Sequence, residues 1–364
     1  MENKLFLSEP PLVQLAGVIQ EPFNLAIATA RTCYSSKGII TREDVVKDEK
    51  SIILRDKIAS STLQAGHLTT RQHAQFVFAL DRVSRQFIWS FLHSHPFYNS
   101  EQVSQRYVKV APGHFTIPPM TEKQSKRYLE VIHLQMESYN HLIELLMPDI
   151  ERRFYQLFPA RKKKEEGYRL SLKKRAYEVA RYVLPVATHA YLYHSISPLT
   201  LLRYLRLCEM FDTSFEQKYV VKRMVEEVLK VDPDFQKELK APLPLEETPE
   251  FQIFQSLGNG NHTGQAKAFV KEFDESLDGH VSQLVDYKQN AETVMAQAVR
   301  DTLGLTRDRL SDDEAIRWVM HPEKNRYFGD TLNLTTLSKL TRTMVHAHYT
   351  FKKKISHTAD SQDQ

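Results

Sequence analysis

Two strings in this chain return, in the same order, near its C-terminus. ATARTCYSSKGIITREDVV at 28–46 has a counterpart in AQAVRDTLGLTRDRLSDDEAI at 296–316, and HAQFVF at 73–78 has one in HAHYTF at 346–351. The separation from Arg31 to His73 resembles that from Arg300 to His346. Chance can supply one short match, but two in order at like separation mark an internal repeat, and a repeat restricts the folds open to the chain. Residues 276–364 therefore read as the opening of a second copy of the first unit. SHTADSQDQ (356–364) stands where the counterpart of SRQFIWSFLHSH would continue. The second copy is thus expected to be cut short or completed by another polypeptide. Between the copies, 241–265 is rich in Pro, Glu, Gly and Asn, the composition of a linker. The expected organisation is a domain over 1–240, a linker over 241–275 and a partial second copy over 276–364.

The bulk numbers exclude several classes. With 41% hydrophobic and 26% charged residues the chain has the composition of an ordinary globular protein. Its 49 basic and 45 acidic residues nearly cancel, so a net charge of +4 points only weakly to anionic partners. No run approaches the ~18 apolar residues of a membrane span, and MENKLFLSEPPL lacks the apolar core of a secretory leader. Cys33 and Cys208 form neither a metal nor a disulfide spacing, and no metal site is expected. A cytoplasmic location is the expectation.

Periodicity suggests helices over 22–34 and 49–65, a helix start turning into a strand across 66–80, and a helix over Val83–Leu92. Short strands are expected at Tyr107–Val110 and Phe115–Ile117. One long helix should run from 121 to about 158, followed by helices at 173–184, 198–209 and 213–231. Arg161–Lys164 is a charge run that reads as a solvated face.

Ser100-Glu-Gln-Val-Ser-Gln-Arg-Tyr-Val108 places an acid, hydroxyls, amides, a guanidinium and a phenol within nine residues. An arginine fork beside neutral donors suits a phosphorylated, hydroxyl-rich ligand. By itself the stretch also reads as a polar turn leading into a strand. It resembles, however, the second half of the signature of flavin-dependent thymidylate synthases, Arg-His-Arg, a spacer, then Ser-x-Arg-Tyr. Further segments in order carry the same resemblance across most of 12–225: ARTCYS (30–35), GHLTTRQHAQFVFALDRVSR (66–85), ARYVLPVAT (180–188), SPLTLLRYLRL (197–207) and FEQKYVVKRMV (215–225).

The resemblance implies an α+β fold with a central mixed or antiparallel sheet packed by long helices, assembled as a homo-oligomer, a tetramer in that family. It implies methylation of dUMP with methylenetetrahydrofolate, FAD as hydride source and NADPH to recharge it, and no cysteine nucleophile. By the matched motifs, Glu101, Gln102, Ser104, Arg106 and Arg181 would bind a dUMP-like nucleotide. His67 and Thr69 would meet FAD, with His93 and His95 in the flavin cradle; no residue is assigned a catalytic role. The chain departs from the pattern in three places. Arg-His-Arg is replaced by His93-Ser94-His95, Gln72 stands where the block carries Glu, and the substrate-activating Asn-x-Arg reads Ser197-Pro198-Leu199. Neutral histidines do not replace fixed guanidinium charge, and Arg203 or Arg206 is the residue placed to compensate for Leu199. Two other readings stay open: a degenerate copy that acts as a structural or nucleotide-binding partner, and nucleic-acid binding through Arg161–Lys164. The latter lacks a stacking motif and a high domain charge, so nucleic acid is not an expected partner.

Overall fold

Phe76, Phe78 and Leu80 alternate with smaller residues, and a period of two puts all three on one face of a strand. They are buried to the last percent, at the centre of the core of the first unit. That strand, β2 (Phe76–Ser84), pairs antiparallel with β1 (Leu12–Val18) on one side and β4 (His189–Ile196) on the other; β3 (Asn99–Gln102) completes the order β1-β2-β4-β3. The computed structural model describes residues 5–211, 213–258, 262–332 and 334–361. The sheet pairings described are antiparallel throughout.

Around the sheet run α1 (Pro22–Thr32), α2 (Glu49–Gln64), α3 (Arg85–His93), α4 (Glu122–Leu157), α5 (Glu165–Ala180), α6 (Pro198–Met210) and α7 (Phe215–Val231). Val220, Met224 and Val228 of α7 and Leu201 and Tyr204 of α6 close over the Phe76–Phe78 face. A second core forms where Ile132, Met136 and Tyr139 of α4 meet Ala176, Tyr177 and Ala180 of α5. Local chemistry sets the ends of these helices. Thr121 and Gln124 form a reciprocal capping box at the start of α4, and Ser84 caps α3 by accepting the Phe87 N–H at 2.9 Å.

Several expectations need correction. Tyr107–Val110 is not a strand. Both Tyr107 and Val108 donate their N–H groups to the Ser104 carbonyl, at 3.2 and 3.0 Å, so the segment turns instead of extending. Phe115–Ile117 contributes one bridge, Phe115 with Thr188. Helix α5 begins at Glu165, before the expected 173. The 241–275 stretch is not a bare linker. It carries α8 (Pro249–Ser256), started by Thr248 accepting the Phe251 N–H at 3.3 Å, and most of α9 (His262–Ser276).

By compactness the chain divides into Met1–Leu257 and Gly258–Gln364. The second unit holds α9, β5 (Ser282–Tyr287), α10 (Ala291–Leu303), α11 (Asp312–Met320) and β6 (Tyr349–Lys353), with β5 and β6 antiparallel. Its core is Met295, Ala296, Val299, Leu310, Ala315 and Val319. Its strand register follows that of β1 and β2 pair for pair. Leu15↔Phe78 answers to Leu284↔Phe351, Val13↔Leu80 to Ser282↔Lys353, and Val18↔Phe76 to Tyr287↔Tyr349. The ladder is irregular at the same step in both, between Leu15 and Gly17 and between Leu284 and Asp286. At the same spacing, a 3-10 helix precedes each second strand, Leu68–Gln72 before β2 and Thr341–His346 before β6, and Thr70 and Thr343 are both buried.

Candidate active site

The ladder between β2 and β4 is interrupted between Leu80 and Val83, where Arg82 adopts a left-handed backbone with φ 56°. An irregularity of this kind bends a strand and re-aims the residues beyond it. Those residues are Ser84 and Arg85, where the chain passes from β2 into α3. Ser84 is held from the far side of the core by Glu216, in the first turn of α7. That buried carboxylate accepts the Ser84 N–H at 2.7 Å and its hydroxyl at 2.5 Å, and burial raises its pKa. Neither Glu216 nor Arg85 stood among the expected site residues. The Ser-Arg that ends the 66–85 block was the signal for Arg85, whereas nothing in FEQKYVVKRMV singles out its glutamate.

Arg85 donates to the Gln102 side-chain oxygen at 2.5 Å. Burial lowers the pKa of its guanidinium, and the like charge of Arg181 adds to the effect. Arg181 is itself buried and donates through Nε to the Glu178 backbone carbonyl at 3.2 Å. The Glu178 carboxylate is shared, with Arg175 at 2.9 Å and Arg106 at 3.7 Å, and Arg106 lies over the Tyr107 ring at 5.3 Å. Arg106 and Arg175 thus share one carboxylate, and Arg181 is bonded to the backbone of the same residue. Among the described residues, neither Arg85 nor Arg181 has an acidic side chain within ion-pair distance. Two adjacent, largely desolvated cations without a counter-ion are held by the fold at a cost, and a polyanionic ligand offsets that cost.

Of the expected nucleotide residues, the structure brings Gln102, Arg106 and Arg181 to this cluster. Glu101 is exposed on β3, opposite Tyr193. Ser104 accepts the Arg106 N–H at 3.3 Å and lines a neighbouring cavity of about 510 Å³ with Arg82, Lys109, His114 and His189.

The expected flavin residues fall in separate places. His67 lines a cavity of about 810 Å³ together with Arg31, Ser35, Ser36, Lys37 and Thr62. The turn behind it is pinned by Arg71, which donates to both Glu238 carboxylate oxygens at 2.9 and 3.0 Å and to the Ala59 carbonyl at 2.8 Å. Thr69 is exposed and lines none of the three cavities of about 810, 510 and 430 Å³. His93 is exposed, with Nδ1 2.5 Å from the Trp89 carbonyl of its own helix. His95 places Nε2 3.1 Å from an Arg203 guanidinium nitrogen. Arginine can only donate, so His95 accepts and is neutral in this contact, and burial with the Arg203 charge lowers its pKa. Arg203 and Arg206 line a third cavity, about 430 Å³, beside Leu199.

The antiparallel sheet and its helical cover define an α+β class of protein, with a cluster of guanidiniums beside the signature segment. The model of the family described as thymidylate synthase complementing protein matches residues 14–234, and the chain belongs to that family. It is 26% identical over 227 residues to the flavin-dependent thymidylate synthase of Clostridium tetani (strain Massachusetts / E88), a match covering 61% of this chain and 84% of that protein. A UMP/dUMP methylase from Streptomyces cacaoi, solved with 5-Br dUMP bound, matches at 17% identity and a TM-score of 0.45, over 63% of this chain and 94% of that one.

Proposed function

We propose that the first unit is a flavin-dependent methyltransferase that converts a dUMP-like nucleotide to its 5-methyl product. The observation that carries this reading is the pairing of Arg85 with Arg181, with Arg106 alongside, at the segment the family signature covers. Gln102 orients Arg85, Ser104 and Arg106 come from the turn after β3, and Arg181 closes from the end of α5. Together they suit a phosphate monoester, whose two charges match Arg85 and Arg181, which lack carboxylate partners among the described residues. Glu101 lies one residue from Gln102 at the sheet edge, within the same segment, and we assign it to the nucleotide.

The donors around His67 fit a dinucleotide. Arg31 and Lys37 supply charge, Ser35, Ser36 and Thr62 supply hydroxyls, and such a set suits the pyrophosphate of FAD. We assign His67 to FAD on that basis, and Thr69, two residues further on, by the matched motif alone. When bound, FAD would supply the hydride, with NADPH as its reductant and methylenetetrahydrofolate as the carbon donor. The chain's own part is to bind, orient and hold charge. His95, neutral and accepting from Arg203, fixes that guanidinium in the cavity wall beside Leu199, where the family carries its substrate-activating arginine. His93, in the last turn of α3, is assigned to the flavin cradle by the matched motif alone. We read residues 276–364 as a partial second copy of the first unit, with the shared register of β1–β2 and β5–β6 in support, and the whole as a homo-oligomer.

Calorimetric titration with dUMP tests the nucleotide assignment. Arg106→Ala should weaken binding at least tenfold, the loss of one charge-assisted contact of about 1.5–3 kcal/mol, with little change in melting temperature. Unchanged affinity removes Arg106 from the site. Purified chain should also take up FAD and show a flavin spectrum. Colourless protein that binds dUMP favours the reading of a nucleotide-binding partner without catalysis.

A further inference from the structure

We propose that the cavity of about 510 Å³ beside Ser104 binds an aromatic or heteroaromatic monocarboxylate, held by Arg82 and His189. This ligand is additional to the nucleotide and the dinucleotide of the proposed reaction, so the site goes beyond that reading. Two buried side-chain atoms of residues in the cavity wall, Arg82 Nε and His189 Nε2, have no hydrogen-bond partner among the described residues. Native folds seldom leave such atoms unpaired, and two of them at one cavity of ligand size point to a guest that pairs both. The backbone supports this. Arg82 sits at the step where the β2–β4 ladder breaks, with φ 56°, a region that a residue with a side chain rarely adopts. Strain of this kind is retained where the surrounding structure must aim a side chain. The Asp81 carboxylate accepts the Arg82 N–H at 2.8 Å and Glu9 accepts from Nη1. The two acids thus fix the backbone and one arm of the guanidinium, and Nε is left without an acceptor.

Charge and lining select the class of ligand. Arg82 and Lys109 are matched in the wall by Glu9 and Asp81. Burial lowers the His189 pKa to about 4, so its imidazole adds no charge near pH 7. A balanced wall of this kind admits a monoanion, whereas a polyphosphate would meet two carboxylates with no surplus of cations. The two oxygens of one carboxylate can accept from Arg82 Nε–H and from His189. A neutral imidazole carries a single N–H, and this pairing assigns it to Nε2. Val103, Val108, Val110 and the Tyr191 ring supply apolar surface to the same cavity, which suits a flat ring as the body of the ligand.

Calorimetric titration of the full-length chain with 2-naphthoate and its neutral isostere 2-naphthamide tests the site. Naphthoate should bind at a single site and at least tenfold more tightly than the amide, the worth of a charge-assisted hydrogen bond. His189→Phe keeps a ring without the nitrogen, and Arg82→Met keeps the stem without the guanidinium. Each should weaken naphthoate binding at least tenfold. In the wild-type chain naphthoate should slow hydrogen exchange at 103–111 and 189–191, a readout that stands even where a variant fails to fold. Equal affinity for acid and amide overturns the proposal, as does the absence of naphthoate binding at millimolar concentration. Protection that appears only outside these two segments also overturns it, because the ligand then occupies another cavity.

Discussion

Glu216 shows how a residue remote from any ligand can set the site. It is the acceptor for two donors of Ser84, and Ser84 both caps α3 and precedes Arg85. Glu216→Ala leaves those donors buried without a partner, a loss of about 2–4 kcal/mol by denaturant melts, and it should also weaken dUMP binding, because Arg85 loses its anchor. His194 lies fully buried on β4, with Nε2 3.2 Å from the Tyr204 hydroxyl, and burial pushes its pKa down to about 3. His189, half-buried, is lowered to about 4. Below its ordinary pKa of 6.5 each imidazole takes up a proton in the unfolded chain but not in the folded one. Stability is therefore full above pH 6.5 and falls as the pH drops, by about 1.4 kcal/mol per pH unit for each group. In His194→Phe the slope of unfolding free energy between pH 6 and about 4 should shrink by one proton's worth. An unchanged slope would assign the acid sensitivity elsewhere.

Among the elements, the turn carrying His67 depends on one ion pair. Arg71 and Glu238 are both buried, 167 residues apart in sequence, and join the Leu68–Gln72 turn to the short 3-10 helix Pro233–Glu238. Removing one partner of a buried pair leaves the other charge uncompensated, so Glu238→Ala should cost about 3–5 kcal/mol. Arg71→Met/Glu238→Leu, which removes both charges, should recover most of that loss in thermal melts. A double variant as unstable as the single one would mean that the loss does not come from the stranded charge. The strands were the elements least visible beforehand. In β4, His189-Ala-Tyr-Leu-Tyr-His-Ser-Ile196 alternates buried with exposed residues, yet its inward positions include His194, so the apolar alternation is broken in composition although intact in space. In Tyr107–Val110 the reverse holds: the composition suits a strand, but two backbone donors converge on the Ser104 carbonyl.

At the scale of the molecule the guanidinium cluster, the His67 cavity and the sheet that positions them lie within the first unit, while α10 and α11 form a core of their own in the second. Hydrogen exchange with and without dUMP should therefore show added protection within 12–231 and none within 282–353. Protection spreading into β5 and β6 would place part of the nucleotide site in the second unit. The counterpart of Arg31 argues against that. Arg31 lines the His67 cavity, whereas Arg300 is completely buried, bonded to Asp312 at 2.7 Å and to the Leu310 carbonyl at 3.2 Å. The same residue type serves a cavity in one unit and a core in the other.

Amino-acid order alone determined the long helices and the phosphate-suited residue types of the Ser104–Arg106 segment, because periodicity and residue type are local properties. It also exposed the missing Arg-His-Arg. Only the tertiary structure decided which charges meet. Arg85 and Arg181 lie 96 positions apart and become neighbours through α3 and α5. His93 and His95, two positions apart, are separated because one turns back to its own helix and the other reaches Arg203. Electrostatic and hydrogen-bond partners are set by packing across the sheet, and that information has no period in the sequence.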